Sequence, residues 1–127
     1  MNYLDYAATT PVNAEVLEVI TKEMASFGNP SSVYRIGREQ KQKIERVKKA
    51  ILSELQASPH DAIIFTSSGS EGNNLVFESI REHFAKEKGH IIVSAVEHPS
   101  VRKPAEFLEQ EGFDVTYLAP NKDGIVT

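Results

Sequence analysis

Ile63-Ile64-Phe65-Thr66-Ser67-Ser68-Gly69-Ser70-Glu71-Gly72-Asn73-Asn74-Leu75 contains three local patterns in succession. Residues 62–65 are apolar and rich in β-branched side chains, which predicts a short buried strand. Residues 66–72 are small, polar and glycine-bearing, which predicts a turn. From about Glu71 onward a helix is expected, because apolar side chains recur at helical spacing at Leu75, Val76, Ile80 and Phe84.

A strand that leads through a glycine-serine turn into a helix can bind an anion at the helix start. The first turn of a helix has free backbone N–H groups and the positive end of the helix dipole. Gly69 has no Cβ, so an anion can approach the backbone closely there. Hydroxyl donors are added by Ser67, Ser68 and Ser70. On the pattern alone, Ser70 as a plain helix cap is the more common explanation. It is neither a Walker A loop nor a dinucleotide fingerprint, because the residues that define those motifs are absent.

The composition indicates one modest globular domain and excludes several function classes. The chain has 127 residues, of which 40% are hydrophobic and 25% charged. A net charge of −4 without a basic block argues against nucleic-acid binding. No apolar run approaches the length of a membrane span, and no signal peptide is evident, so a cytoplasmic location is expected. Without cysteine, these residues form no disulfide or thiolate metal site, and we predict no metal site.

Two helices are expected before the turn. Asn13 can cap a helix over Ala14–Ser26, which Gly28 would end as a C-terminal glycine. A longer amphipathic helix is predicted from Arg35 to about Ala57, with an apolar stripe and mixed charges on its other faces.

Two further strands follow the turn. His90–Ala95 and Asp114–Leu118 are short and apolar, and a helix is expected between them. Pro104 interrupts the helical pattern, so this helix either starts near Lys103 or is kinked. Three strands separated by helices, the first being Ala62–Phe65, predict an α/β fold with a parallel sheet and right-handed crossovers.

Ligands of such sheets bind beyond the carboxyl ends of the strands. Two loops are expected there: Thr66–Gly72, with its anion donors, and Val96–Ser100, which contains His98. We expect structural roles for His83 and His90. His98 differs because it directly follows a predicted strand.

Four motifs, which together span nearly the whole chain, carry a family resemblance. They are Tyr3-Leu4-Asp5-Tyr6-Ala7-Ala8-Thr9-Thr10-Pro11, Gly28-Asn29-Pro30-Ser31-Ser32, Thr66-Ser67-Ser68-Gly69-Ser70-Glu71-Gly72-Asn73-Asn74 and Val96-Glu97-His98-Pro99-Ser100-Val101. In this order they resemble the N-terminal part of pyridoxal-phosphate-dependent cysteine desulfurases of the NifS/IscS type, within the class V, fold-type I aminotransferases. The resemblance implies a partial aminotransferase-like parallel sheet with flanking helices. Residues 1–13 would be an extended arm, and residues 14–127 the first part of the cofactor-binding large domain.

The resemblance also implies roles for individual residues. Gly69 and Ser70 would bind the phosphate of pyridoxal 5′-phosphate, Gly69 through its N–H and Ser70 through its N–H and hydroxyl. His98 would stack on the pyridine ring and act as a catalytic proton carrier at the substrate α-carbon, which suits an imidazole. Asn13, Asn29 and residues 7–10 would support the site without a catalytic role. Tyr34 departs from the pattern, because the family usually has a histidine there.

An enzyme of this family would convert L-cysteine to L-alanine and pass the sulfur, as an enzyme persulfide, to a sulfur-acceptor protein, for example in iron–sulfur cluster assembly. The Schiff-base lysine, the aspartate that pairs with the pyridine nitrogen and the persulfide cysteine lie beyond position 127 in the family. The resemblance therefore implies a fragment that is inactive alone. Unpaired strand edges would favour a homodimer or higher self-association. The alternatives are a non-catalytic phosphate-ligand module, a structural fragment, or another class V enzyme such as a selenocysteine lyase or an aminotransferase.

Overall fold

The computed structural model describes residues 2–126. The chain forms two compact units, which comprise residues 1–63 and 64–127. In the part that the structure describes, no helix is long and apolar enough to cross a membrane. No cluster of histidine and carboxylate side chains suited to a metal ion occurs among these residues.

The first unit contains helices α1 (Ala14–Met24) and α2 (Arg35–Glu54). The predicted cap of α1 is confirmed, because the Asn13 side-chain oxygen accepts a 2.8 Å hydrogen bond from the N–H of Glu15. Two predicted helix ends were wrong. Helix α1 ends at Met24 instead of Ser26, and Gly28 lies beyond its cap in the intervening loop, with φ at +151°. Helix α2 ends at Glu54 instead of about Ala57, and Gln56 takes up a left-handed conformation at φ +51°.

Polar contacts and a close backbone approach connect the two helices of this unit. The Lys43 ammonium donates to the Glu23 carboxylate at 2.7 Å and to the Ser26 hydroxyl at 3.1 Å. The Gln40 amide also donates to the Ser26 hydroxyl. Gly37 is the one buried residue of α2. The loop before α2 therefore packs on a glycine, while most apolar side chains of α1 are exposed.

The second unit is an α/β arrangement, as predicted. Its elements, in chain order, are α3 (Gly69–His83), β1 (His90–Ser94), α4 (Pro99–Gln110) and β2 (Asp114–Leu118). Strands β1 and β2 are parallel, in a register that runs from His90 opposite Asp114 to Ser94 opposite Leu118. Helix α4 forms the crossover between them, and the strand ends differ from the predicted ones by a single residue.

The start of α4 contradicts the alternative that the helix begins near Lys103. The helix begins at Pro99, four residues before Lys103, and Pro104 lies inside it. Pro99 occupies the first helical turn, where the missing N–H of a proline costs no hydrogen bond and its fixed φ suits a helix. The helix therefore starts directly after the loop that contains His98.

The predicted first strand, Ala62–Phe65, is not a strand in this structure. Between residues 2 and 126 the sheet contains β1 and β2 alone. Residues 62–65 have no backbone hydrogen-bond partner in the described range, and 70% of Ile64 and 56% of Phe65 are exposed. The apolar pattern identified a segment suited to a sheet, but a strand also requires a neighbouring strand with which to pair.

Much apolar surface is uncovered. The buried apolar side chains are Ala105, Leu108 and Phe113, all in the second unit. Two separate globular domains, each of half this mass, would together expose roughly 8,100 Å², whereas the chain exposes 10523 Å². The excess indicates surfaces suited to contact with further protein.

Candidate functional site

The start of α3 is held by a set of side-chain caps. The Ser68 hydroxyl oxygen accepts from the N–H of Glu71 at 3.2 Å, so Ser68 is the N-cap, and not Ser70 as the plain-cap alternative had it. In return the Glu71 carboxylate accepts from the N–H of Ser67 at 2.5 Å and from the Ser67 hydroxyl at 2.6 Å. This reciprocal arrangement is close to a capping box. It leaves the Ser70 hydroxyl available for another partner.

Lowering the pH is expected to loosen the start of α3. Hydrogen bonds from the Ser67 hydroxyl and then the Ser67 N–H hold the pKa of Glu71 below its ordinary value. A carboxylate with a lowered folded-state pKa contributes stability above its unfolded-state pKa and loses it as the pH falls through the folded-state pKa. After correction for the intrinsic exchange rate, the protection of the amides at residues 67–71 should therefore fall upon acidification, relative to that in the middle of α3. Glu71→Gln should lack this acid-dependent component, whereas Glu82→Gln should retain it. Equal acid dependence in Glu71→Gln and the unmodified chain would contradict the prediction.

The first turn of α3 presents donors to open space. In the hydrogen bonds between residues 2 and 126, the N–H groups of Gly69 and Ser70 have no protein acceptor, and the Ser70 hydroxyl has no partner. A Cβ at Gly69 would meet no heavy atom within 4 Å. The Asn74 side chain donates to the Ser70 carbonyl at 2.7 Å, which supports this turn from the next one. Two free N–H groups, a hydroxyl and a positive dipole end can hold an anionic group.

His98 lies at the start of α4 as its N-cap. Its Nδ1 accepts from the N–H of Ser100 at 3.1 Å and lies 2.8 Å from the Ser100 hydroxyl oxygen. The Asn73 amide donates to that hydroxyl oxygen at 2.9 Å, so α3 and the His98 loop are joined by side chains. No partner of the His98 Nε2 is found in the described range.

One cleft brings the predicted phosphate loop and the predicted histidine loop together. It lies between α3 and α4 with a volume of about 550 Å³, and Ser70 and His98 both line it. Gly69 directly precedes Ser70 but is not among its lining residues. The cleft continues along the helices over apolar side chains, which include Phe77 and Phe107. The three predicted site residues thus lie at the starts of two adjacent helices, while their roles remain predictions.

The family model for class-V aminotransferases matches residues 2–127. The chain belongs to the class-V aminotransferase family. Among the curated relatives of this class-V chain is a cysteine desulfurase IscS of Dictyoglomus turgidum, 43% identical over 125 residues, which cover 98% of this chain and 32% of the relative. A putative cysteine desulfurase NifS of Bacillus subtilis is 41% identical over 128 residues, covering 100% of this chain and 32% of the relative. The chain therefore spans about a third of the length of these relatives.

Solved structures of related proteins agree with this membership. A structure described as SspA in complex with cysteine has a TM-score of 0.90 and 39% identity, covering 100% of this chain and 37% of that one. A NifS-like protein has a TM-score of 0.86 and 32% identity, covering 94% of this chain and 33% of that one. The fold predicted from the resemblance, part of a fold-type I enzyme, is confirmed.

Sequence reasoning missed the hydrogen bonds that Asn73 and Ser100 make beside this cleft. Ser100 could have been found from its position two residues after His98, because a side chain at an N-cap bonds the second or third following N–H. Asn73 gave no such signal, since its contact with Ser100 spans 27 residues of sequence. In the first unit, Asn13 caps α1, and the Asn29 side chain accepts from the N–H of Ser31 at 2.9 Å.

Tyr34, the departure from the family pattern, is the N-cap residue of α2. It makes no side-chain cap hydrogen bond within the described residues. Its ring is largely exposed. The structure therefore offers no local role for this side chain within its unit.

Proposed function

We propose that these residues form part of the cofactor site of a pyridoxal-phosphate-dependent cysteine desulfurase. The observation that carries the proposal is the cleft that Ser70, with its free hydroxyl, and His98 line together at the starts of α3 and α4. The proposal is supported by the relatives named cysteine desulfurase and by the related structure described as a complex with cysteine.

In this proposal residues 1–13 are an extended arm and residues 14–127 begin the large domain of a longer chain, called here the complete protein. This division into arm and large domain differs from the division into two compact units, whose boundary in the sequence follows Ile63. The uncovered apolar surface supports the proposal, because further residues of the complete protein and a second copy in a homodimer would cover it.

The residues present fit the cofactor. The phosphate would take up the N–H groups of Gly69 and Ser70 and the Ser70 hydroxyl, since none of these donors has a protein acceptor among residues 2–126. The His98 imidazole would lie against the ring. When bound, pyridoxal phosphate supplies an electron sink for bond changes at the substrate α-carbon.

His98 would hold and move the proton in this chemistry. Its Nδ1 is occupied by Ser100, so Nε2 is the ring nitrogen available to the cleft. In the net reaction the C–S bond of L-cysteine breaks, a C–H bond forms in its place, and the product is L-alanine. The sulfur atom adds to a cysteine thiol of the enzyme as a persulfide, which a sulfur-acceptor protein then receives.

The persulfide cysteine must come from outside these residues, because residues 1–127 contain no cysteine. We therefore expect the 127-residue chain alone to release no sulfur from L-cysteine. Alanine formed by this chain without added protein would contradict the expectation.

Ser70→Ala is expected to weaken binding of pyridoxal phosphate to the complete protein. A hydrogen bond to a charged group accounts for about a tenfold change in affinity or more. Ser70→Thr keeps the hydroxyl and should bind nearly as well as the parent. Ser79→Ala serves as the matched control, because the Ser79 hydroxyl donates to the Leu75 carbonyl within α3. The measurement is an absorbance titration of the cofactor-free protein.

The same preparation distinguishes the alternative functions. Formation of alanine from L-cysteine, with sulfide released from the enzyme persulfide by an added thiol reductant, supports the desulfurase. Binding of the cofactor with turnover of selenocysteine alone, or with transamination alone, would replace it with another class V activity. Equal affinity of Ser70→Ala and the parent would remove Ser70 from the phosphate site.

A further inference from the structure

Three hydrogen bonds connect Asn73, Ser100 and His98. The Ser100 N–H donates to His98 Nδ1 at 3.1 Å, and the Ser100 hydroxyl oxygen lies 2.8 Å from the same nitrogen. The Asn73 amide donates to the Ser100 hydroxyl oxygen at 2.9 Å. Asn73 and Ser100 are half-buried, whereas His98 is exposed at the cleft.

The direction of each bond determines which ring nitrogen has the proton. A backbone N–H can only donate, so His98 Nδ1 must present its lone pair, and the proton of a neutral ring is then on Nε2. The Asn73 NH₂ group can also only donate, so the Ser100 oxygen uses a lone pair to accept from it. The hydroxyl hydrogen of Ser100 is then free to point at Nδ1, and two donors converge on that atom.

We propose that Ser100 and Asn73 are positioning residues that hold His98 as the Nε2–H tautomer, with Nε2 toward the substrate. The consequence for catalysis rests on the proposed function, because it assigns the transferable proton to Nε2. The tautomer itself does not rest on it. If His98 merely caps α4, its bond to the Ser100 N–H suffices, and Asn73 should have no influence on the ring.

The test is the tautomer of His98 in the complete protein without cofactor, read from the ring ¹⁵N resonances at a pH where the ring is neutral. His98→Gln assigns the signals by their loss. In the parent protein Nε2 should have the proton. In Asn73→Asp the new carboxylate accepts the Ser100 hydroxyl hydrogen, so the hydroxyl oxygen turns a lone pair toward Nδ1. The Nδ1–H fraction should then rise about fivefold or more, as expected for one hydrogen bond gained or lost.

Ser100→Ala provides a second variant, which removes the hydroxyl donor and leaves the backbone N–H. The Nδ1–H fraction should rise again, and Ser100→Thr should restore the parent ratio. Matched controls are Asn74→Asp, whose amide in the parent bonds the Ser70 carbonyl, and Ser79→Ala. Neither should move the ratio.

Two results would overturn the proposal: a proton on Nδ1 in the parent protein, or an unchanged tautomer ratio in both Asn73→Asp and Ser100→Ala. The outcome is independent of the cofactor titration. A protein that fails to bind pyridoxal phosphate but responds as described at His98 would refute the proposed function and support the positioning network.

Discussion

Replacing His98 by alanine is expected to lower alanine production from L-cysteine about a hundredfold or more, which is the usual contribution of a positioned proton-transfer group. Glu78 and Lys103 are the other titratable residues that line the cleft, but Glu78 is paired with Arg81 and Lys103 with Glu106, so neither is free to replace the imidazole. Cofactor binding should persist in His98→Ala, since the phosphate donors at the start of α3 are unchanged.

The interpretation of that loss requires a second variant, because His98 also caps α4. His98→Asn restores a side-chain acceptor of the type preferred at N-caps, so the start of α4 should remain intact without an imidazole. We expect His98→Asn to be as inactive as His98→Ala, with a helix start as stable as in the parent. His83→Ala, which removes a histidine away from the cleft, should keep full activity. The assay is alanine formation at saturating L-cysteine, and substantial turnover by His98→Asn would show that capping and not proton transfer is the role of His98.

The sequence predicted those strands whose partners lie within the described chain. His90–Ser94 and Asp114–Leu118 were located to within a residue, because each is short, apolar and bounded by turn residues. Residues 62–65 have an equally apolar pattern but no strand beside them. An apolar pattern predicts that a segment is buried. A segment becomes a strand only when a second strand lies beside it, and the hydrophobic pattern does not predict that second strand.

The sequence also predicted part of the candidate site. The rule that ligand loops follow the carboxyl ends of strands identified the His98 loop, which follows β1. The loop around Ser70 was predicted from the same rule, and it lines the same cleft although residues 62–65 do not form a strand between residues 2 and 126. The hydrogen bond from Asn73 to Ser100, which connects the two loops, could not be predicted from the sequence, because it depends on how α3 packs on α4. The helix start at Pro99 was missed for a different reason. Pro104 was used to place the start of the helix, although a proline at the first helical position, here Pro99, is the stronger signal of a helix start.

Gly37→Ala is expected to destabilise the first unit by about 2–3 kcal/mol, through overpacking at a site with no room. A Cβ at this position would lie 2.5 Å from the Asn29 carbonyl oxygen and 2.8 Å from both the Cβ and the carbonyl oxygen of Ser32. Two of these three atoms belong to the backbone, so a change of side-chain rotamer cannot relieve the clash. Alanine is the better helix former by about 1 kcal/mol, which offsets part of the strain.

The control is a second helical glycine with space around it. A Cβ at Gly72 would approach the Thr66 hydroxyl to 3.5 Å, an ordinary contact, so Gly72→Ala should stabilise α3 by roughly 0.5–1 kcal/mol. Urea unfolding of the complete protein, with amide exchange in α2 as the local probe, measures both variants. If Gly37→Ala were as stable as Gly72→Ala, then the loop over residues 29–32 could move away from α2 at little cost. In that case the close contact with Gly37 would not hold the loop that contains Gly28-Asn29-Pro30 against α2 in solution.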